Sequence, residues 1–198
     1  RENQSPYLST HPLTQNRINF LEKAVQRSPH TGSAPPERLR LEHARMTAKL
    51  AGFMQAPAKT LRQYRDDSSV PGRYARAVAH YRDANLDKAL SMVNALIAEY
   101  PDDPYFRELK GQMLYENGHI ADSLPAYEKA VELRPDSALL RLGLARAQVQ
   151  RNKPSLNDSA LAHLREVLEA EPRNASAWRL RAIAHGRPGQ GGPSGVVD

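Results

Sequence analysis

One pattern of small, large apolar and proline residues recurs along this chain with a spacing of 34 residues, as from Ala77 to Gly111 and from Gly111 to Ala145. A period of this length is typical of stacked pairs of antiparallel helices. A single pair cannot bury its own apolar stripe, so neighbouring pairs must pack on each other. The chain is therefore predicted to be all-α. The positions that share a phase are Ala77, Gly111 and Ala145; Leu86 and Ile120; Val93 and Tyr127; Leu96 and Ala130; and Pro101 and Pro135.

The period and the residue types resemble the tetratricopeptide repeat. That resemblance implies a superhelix of antiparallel helix pairs whose groove is available to a protein or an extended peptide. The best match is the stretch from Leu109 to Gly118, where Gly111 allows close helix packing. Gly118 is expected to end a helix in the left-handed conformation, which glycine adopts without a steric penalty. The chain is therefore interpreted first as a binding surface.

The pattern divides the chain into three parts. Residues 1–35 do not follow the repeat and include a linker helix that is predicted to start near Thr14. Residues 36–185 carry the repeats, and residues 186–198, rich in Gly and Pro, are expected to form a disordered tail. The repeat region comprises a degenerate repeat 36–69, repeats 70–103, 104–137 and 138–174, and a cap helix 175–185.

Repeat 138–174 contains three residues more than the others. The pattern regains its phase at Ala160, so the additional residues are expected in the turn between the two helices, around Lys153 to Leu156. Insertions in a solenoid usually map to such turns.

Composition narrows the functional class. The 198 residues carry a net charge of +6, but acidic and basic residues alternate along almost every helix, which does not favour a nucleic-acid partner. The absence of cysteine excludes disulfides, thiolate zinc sites and cysteine catalysis. No apolar run is long enough for a transmembrane segment. The chain begins at Arg1 rather than at a methionine, and we expect it to be a fragment.

The chain contains no recognisable complete active site. Its seven histidines include no His-Glu-x-x-His arrangement, in which two imidazoles and a base share one helix face. The glycines between Gly189 and Gly192 follow no predicted strand, so they are not interpreted as a phosphate loop. We therefore expect no catalytic residue and no cofactor within this fragment.

A short segment before the repeats, Tyr7 to Ile18, has a different character. It is predicted to be an extended stretch that ends in Thr10, His11 and Pro12, followed by a helix. In order and spacing, this segment and the repeats after it resemble BepA-like bacterial zinc metallopeptidases, a group of His-Glu-x-x-His peptidases related to the CAAX prenyl proteases.

The resemblance implies that the intact protein is a zinc metalloendopeptidase with an upstream peptidase domain, and that residues 1–35 are the end of this domain and a linker helix. It also implies a periplasmic or cell-envelope location, although the sequence does not exclude the cytoplasm. In the family, the histidine of the Thr-His-Pro segment lies close to the zinc and can act as a gate. Carried over, this residue is His11, a candidate gating ligand that would compete with water for the open position of the metal. The alternative is that His11 only caps the helix or packs against the upstream domain.

Tetratricopeptide arrays typically contact partners through fixed positions of the first helix in each unit. Aromatic and polar side chains at these positions suit an extended peptide, because rings provide apolar area and phenols provide hydrogen bonds. One or two of the rings are expected to pack between repeats instead. The candidate groove residues are Tyr74, Val78, Tyr81, Arg82, Tyr105, Glu108, Gln112, Tyr115, Arg146 and Arg179, with Glu116, Leu142, Val149 and Gln150 at equivalent positions.

Three functions remain open from the sequence. The first is an interaction region of a cell-envelope zinc metalloendopeptidase that recruits substrates or outer-membrane assembly partners. The second is a non-enzymatic tetratricopeptide scaffold. The third, a nucleic-acid binder, is disfavoured because the equivalent groove positions Arg82, Glu116 and Gln150 form no basic stripe. The first is preferred.

Overall fold

The computed structural model of the protein describes residues 14–186. This part of the chain contains ten helices and no strand, so the all-α prediction is confirmed. None of these helices is long and apolar enough to cross a membrane. The helices are α1 (Thr14–Arg27), α2 (Glu37–Met54), α3 (Pro57–Gln63), α4 (Val70–Arg82), α5 (Leu86–Glu99), α6 (Pro104–Glu116), α7 (Ile120–Leu133), α8 (Ala138–Arg151), α9 (Pro154–Ala170) and α10 (Ala175–His185).

The described residues divide into two compact units, with the boundary between residues 42 and 43. The first unit contains α1 and the start of α2, and the second contains the remainder of α2 with α3 to α10. In the second unit, α4 packs on α5, α6 on α7, and α8 on α9. Successive pairs are joined through α5 on α6 and α7 on α8. Each pair thereby covers the apolar stripe of its neighbour, as expected for stacked repeats.

The helices α4, α6, α8 and α10 begin with the same kind of cap. A short polar side chain precedes the helix and accepts a hydrogen bond from a backbone N–H in the first turn. Such caps satisfy N–H groups that have no partner within the helix. The repeat is therefore marked by its polar caps as well as by its apolar residues. The caps are Ser69 before α4, Asp103 before α6, Ser137 before α8 and Asn174 before α10.

A second recurring bond connects α6, α8 and α10 to the proline near the end of the preceding repeat. An Arg or Trp side chain in the first turn donates to the carbonyl oxygen of that proline, six residues earlier, over 2.6 to 3.2 Å. This bond holds the turn between consecutive repeats. The pairs are Arg107 with Pro101, Arg141 with Pro135, and Trp178 with Pro172.

The repeated small residues lie where helices approach most closely. Ala77 and Ala145 are fully buried. Gly111, which occupies the same position in the repeat that lies between theirs in sequence, is also buried. The ring of Tyr127, on α7, packs between Gly111 of α6 and Gly143 of α8. Tyr127 therefore fills space that two glycines leave open on neighbouring first helices.

Two turns show how the helices end. Gly118 adopts a φ of 83° after α6, in agreement with the left-handed conformation expected there. The three additional residues of repeat 138–174, in contrast, are not in the turn. Asn152 ends α8 in the left-handed region, and Pro154 starts α9 at once, so α9 has 17 residues where α5 and α7 have 14 each. Proline is favoured at the first helical position, which explains why the insertion lengthens the helix.

Candidate partner-binding groove

The first helices α4, α6, α8 and α10 carry the positions that the sequence assigns to a groove. Their side chains divide into an accessible set and a buried set. Tyr74, Val78 and Glu108 are buried. The partly or fully accessible residues are Tyr81, Arg82, Tyr105, Gln112, Tyr115, Arg146 and Arg179.

Tyr74 and Val78 belong to the core. Their side chains are only 2% and 0% exposed. Tyr74 packs edge-on against Phe106, with 5.5 Å between the ring centroids, and Val78 packs against the bare α-carbon of Gly52 on α2. Burial raises the pKa of the Tyr74 phenol far above its usual range. Both residues are therefore corrected from groove positions to packing positions, because Tyr74 packs on Phe106 of α6 and Val78 packs on α2.

Glu108 is held by a residue of the degenerate repeat. Its carboxylate lies 3.5 Å from the Nζ atom of Lys49, on α2. A second ion pair next to it, Arg45 with Asp103 at 2.6 Å, also joins α2 to the repeat 104–137. The Arg45 guanidinium in addition lies 4.6 Å from the centroid of the Phe106 ring. The end of the groove beside α2 is therefore closed by ion pairs within the chain.

The accessible side chains meet between α4, α6 and α8 in what we call the groove cluster: Tyr81, Gln112, Tyr115, Glu116 and Arg146. The Tyr81 hydroxyl donates a hydrogen bond to Glu116. The Gln112 Nε2 atom donates to the other carboxylate oxygen of Glu116 at 2.9 Å. Burial raises the pKa of the Tyr81 phenol most, and the hydrogen bond to Glu116 raises it further. Tyr81 therefore stays protonated and remains a donor at physiological pH.

Arg146 completes the groove cluster from α8. Its guanidinium carbon lies 4.6 Å from the centroid of the Tyr115 ring, which is the geometry of a cation–π contact. The Tyr127 ring is close by: burial raises the pKa of its phenol to about 12, although Arg146 acts to lower it. Tyr127 and Arg146 both also affect the pKa of Tyr81, so these side chains share one electrostatic environment.

The remaining predicted residues lie away from this cluster. Tyr105 accepts a hydrogen bond of 3.1 Å from Arg134 at its hydroxyl. Arg82 donates to the backbone carbonyl of Gln55 at 2.6 Å. Arg179 is exposed on α10 and makes no ion pair with any residue in the range 14–186. Of the equivalent positions, Val149 is buried and Gln150 is exposed.

Within residues 14–186, no three His, Cys, Asp or Glu side chains lie close enough together to bind a metal ion. The candidate gating ligand His11 lies outside the described residues. This part of the chain therefore does not fit a zinc centre, and no catalytic step is derived from it.

Sequence comparison agrees with this helix arrangement. Two sequence models described as tetratricopeptide repeat match the chain, at residues 74–138 and at residues 114–183. Residues 74–183 are tetratricopeptide repeats. The prediction of these repeats is confirmed, and with it the assignment of the chain to protein–protein interaction.

The chain is similar to parts of two longer proteins. It is 26% identical over 186 residues to a beta-barrel assembly-enhancing protease of Yersinia pestis, and the match covers 89% of this chain and 37% of the relative. It is also 31% identical over 123 residues to the peroxisomal targeting signal receptor of Saccharomyces cerevisiae. This match covers 61% of this chain and 18% of the receptor. The chain thus spans well under half the length of either protein.

A solved structure supports the fold. The crystal structure of YrrB, a TPR protein with an unusual peptide-binding site, matches with a TM-score of 0.56 and 18% identity. The match covers 72% of this chain and 74% of YrrB. At this identity the similarity concerns the tetratricopeptide architecture alone.

Two residues near the groove were not found from the sequence. Lys49 is not predicted, because it lies in the degenerate repeat, where the residues that mark the groove positions are missing. Tyr127 was counted only as a packing residue of a second helix. The signal available for Tyr127 was the pair of glycines, Gly111 and Gly143, on the two first helices that it contacts.

Proposed function

We propose that this tetratricopeptide array is the partner-binding region of a zinc-dependent metalloendopeptidase of the bacterial cell envelope. There it would recruit substrates or partners in outer-membrane assembly. The observation that carries the proposal is the groove cluster, which collects two accessible tyrosines, an amide and a guanidinium on three neighbouring first helices.

The chemistry of the groove cluster suits an extended protein segment. The partly exposed rings of Tyr81 and Tyr115 supply apolar contact area with few rotatable bonds. Gln112 and Arg146 supply polar groups beside those rings. A segment without secondary structure has unpaired backbone groups, and these would pair with such side chains while its own side chains cover the tyrosines.

The link to a peptidase is supported by two features. The chain is similar over 89% of its length to a beta-barrel assembly-enhancing protease. The segment around His11 also resembles the Thr-His-Pro segment of BepA-like peptidases. On this proposal, zinc belongs to the upstream peptidase domain of the intact protein, the location is periplasmic or associated with the cell envelope, and His11 is a gating ligand.

A paired assay on the intact protein tests the division of labour. Replacing Tyr81 and Tyr115 together by serine should weaken capture of a partner, because it removes the aromatic contact area of the groove. Hydrolysis of a small unstructured peptide should stay nearly unchanged. The matched control is Tyr100→Ser, which removes a 39% exposed tyrosine outside the groove cluster and should leave capture intact.

The variant His11→Ala should have the opposite effect. It should change the basal turnover of the small peptide with little effect on capture, because the residue is proposed to act at the metal. Equal loss of capture and turnover in the tyrosine variant, with an unchanged melting curve, would contradict the proposal. It would mean that the groove takes part in catalysis.

A non-enzymatic scaffold is the alternative. Similarity to the peroxisomal targeting signal receptor favours it, because the name of that relative describes a receptor and not an enzyme. The intact protein decides between the two: a scaffold would capture its partner but hydrolyse neither that partner nor a small peptide when supplied with zinc.

A further inference from the structure

The last helix of the array, α10, is a first helix without a second helix among the described residues. In the three preceding pairs, α5, α7 and α9 each pack on the first helix before them. No helix follows α10 within residues 14–186. The side of α10 that a second helix would cover can be identified from its position along the helix, because the repeat places the same position on the same side in every unit.

The eighth residue of each first helix marks that side. In α6 this residue lies against Tyr127 of α7, and in α8 it belongs to the same core cluster as Leu164 of α9. In α10 it is Ala182, which is small like its counterparts but exposed. The counterparts are all small and buried: Ala77 in α4, Gly111 in α6 and Ala145 in α8.

The fourth residue of each first helix lies on the same side, one turn earlier. Arg73, the fourth residue of α4, forms an ion pair of 2.6 Å with Glu99 of α5. Arg141, the fourth residue of α8, lies 3.1 Å from the Nδ1 atom of His163 on α9. The fourth residue of α10 is Trp178, which is 50% exposed. Trp178 and Ala182 therefore form a surface, which we call the open face, at positions that second helices cover elsewhere in the array.

The open face differs from the polar outer face that the end of a solenoid normally needs for solubility. The Nε1 atom of Trp178 donates to the carbonyl oxygen of Pro172 at 3.0 Å, and the Arg181 guanidinium carbon lies 5.3 Å from the ring centroid. The ring is therefore held in place with its only polar atom satisfied, while its apolar surface stays half exposed. Tryptophan is enriched among the residues that contribute most to protein interfaces. Ala182, one turn away, allows another helix to approach closely.

The charges of α10 narrow the chemistry of a helix that would cover the open face. The helix contains no acidic residue, and its spacing places Arg179 and Arg181 on opposite flanks of the open face. Neither arginine forms an ion pair with a carboxylate in residues 14–186. The carboxylate just before the helix, Glu171, accepts a hydrogen bond of 2.8 Å from Asn174. Acidic residues beside the apolar stripe of the covering helix are the complement to these flanks.

Two other occupants fit the open face less well. The open faces of two copies would bring arginines of the same sign together, which disfavours their association. The sequence after residue 186 includes no Leu, Ile, Met, Phe, Tyr or Trp, so it offers no large apolar side chain comparable to Tyr127 or Leu164. A helix of another protein has neither of these disadvantages.

We propose that the open face of α10 binds an amphipathic helix of a partner protein, with acidic residues flanking its apolar stripe. This helix would take the place of a second helix of the repeat, and one of its large apolar side chains would cover Ala182 as Tyr127 covers Gly111. The open face shares no residue with the groove cluster. The inference is therefore independent of the proposed function.

The emission of Trp178 tests the proposal directly, because it is the only tryptophan among the 198 residues. The probes are three synthetic peptides without tryptophan, each held helical by a hydrocarbon staple because short isolated helices are marginal in water. The first has a leucine stripe flanked by Glu, the second has the same stripe flanked by Lys, and the third has the composition of the first with the leucines scattered around the helix.

The Glu-flanked peptide should shift the emission of the full 198-residue chain to shorter wavelength and protect it from quenching by acrylamide. It should bind about tenfold more tightly than the Lys-flanked peptide, a difference typical of one charge-assisted contact. The scattered peptide should leave the emission unchanged, because it offers no continuous stripe to the open face.

Two variants with matched controls locate the site. Ala182→Gln should abolish the shift by blocking close approach, whereas Ala121→Gln, at an exposed position on α7, should bind like the original chain. Arg179→Gln should reduce the preference for the Glu-flanked peptide, whereas Arg62→Gln, at an exposed position on α3, should retain it. The melting curves of all four variants should overlay that of the original chain, because the replaced residues are exposed.

Four outcomes would overturn the proposal: no change of emission with any peptide, equal effects of the Glu-flanked and scattered peptides, equal affinity for the Glu-flanked and Lys-flanked peptides, or an unchanged shift in Ala182→Gln. An emission shift that grows with the concentration of the chain alone would also overturn it, since a second copy would then occupy the open face. The serine variant of Tyr81 and Tyr115 should bind the Glu-flanked peptide like the original chain, which separates this surface from the groove.

Discussion

The ring of Tyr127 lies directly against Gly111, so close that a β-carbon added to the glycine would sit 2.9 Å from three ring atoms. Contacts this short do not occur between real side chains without movement of one partner. The ring cannot move away freely, because it also lies against Gly143, where an added β-carbon would likewise be 2.9 Å from a ring atom. Gly111 is therefore required by packing and not by backbone conformation.

Replacement of Gly111 by leucine should overpack this contact. We expect the free energy of unfolding to fall by roughly 1 to 3 kcal/mol, as is typical for larger side chains forced into a filled core. Urea denaturation followed by circular dichroism measures the change. Ala162→Leu, at an exposed position on α9, is the control and should change the free energy of unfolding by less than about 0.5 kcal/mol. Equal stability of the two variants would show that the ring of Tyr127 does not occupy this space.

His163 predicts a dependence of stability on pH. The Nδ1 atom of His163 lies 3.1 Å from an Arg141 guanidinium nitrogen, and since arginine can only donate, this Nδ1 must be unprotonated. Burial is the main cause that lowers the pKa of His163, and the positive charge of Arg141 lowers it further. The negative charge of Glu166 acts in the opposite direction. The unfolded chain therefore binds this proton more readily than the folded chain does. Stability should fall as the pH drops below about 6.5, the usual pKa of histidine.

Urea denaturation at a series of pH values between about 7.5 and about 5 measures this effect. In His163→Gln the decrease toward low pH should be smaller than in the original chain, although not abolished, because burial lowers the pKa of His80 as well. His185→Gln, at an exposed position at the end of α10, is the control. An identical pH profile in His163→Gln and in the original chain would contradict the role assigned to Arg141.

The sequence predicted the features that depend on the repeat itself. A small residue at position 111, a glycine with positive φ at position 118 and helix pairs along residues 70–174 all follow from a pattern that recurs with one period. These features are local or involve adjacent units, and the same contacts occur in every unit. A periodic sequence therefore contains enough information to place them.

What the sequence did not predict arises where the repeat is broken. The repeat phase predicts Tyr74 and Val78 as groove residues, but both are buried, Tyr74 against Phe106 and Val78 against α2 of the degenerate repeat. The partner of Glu108 is likewise Lys49 on α2, 59 residues away in sequence. The lengthened α9 depends on a single local choice, the proline at position 154, which a fixed period does not encode. Such contacts have no counterpart in neighbouring units and must be found from coordinates.

Glu116 provides a test of the hydrogen bonds in the groove cluster. Its two carboxylate oxygens accept bonds from Tyr81 and Gln112. The variant Glu116→Gln keeps the shape but removes the negative charge, so charge-assisted bonds are replaced by weaker bonds between neutral groups. We expect the free energy of unfolding to fall by about 0.5 to 1 kcal/mol.

Urea denaturation followed by circular dichroism measures the change. The control is Glu128→Gln, which removes the same charge from an exposed position on α7 and should change the free energy of unfolding by less than about 0.5 kcal/mol. Equal stability of Glu116→Gln and the original chain would show that the bonds from Tyr81 and Gln112 to Glu116 do not stabilise the folded protein.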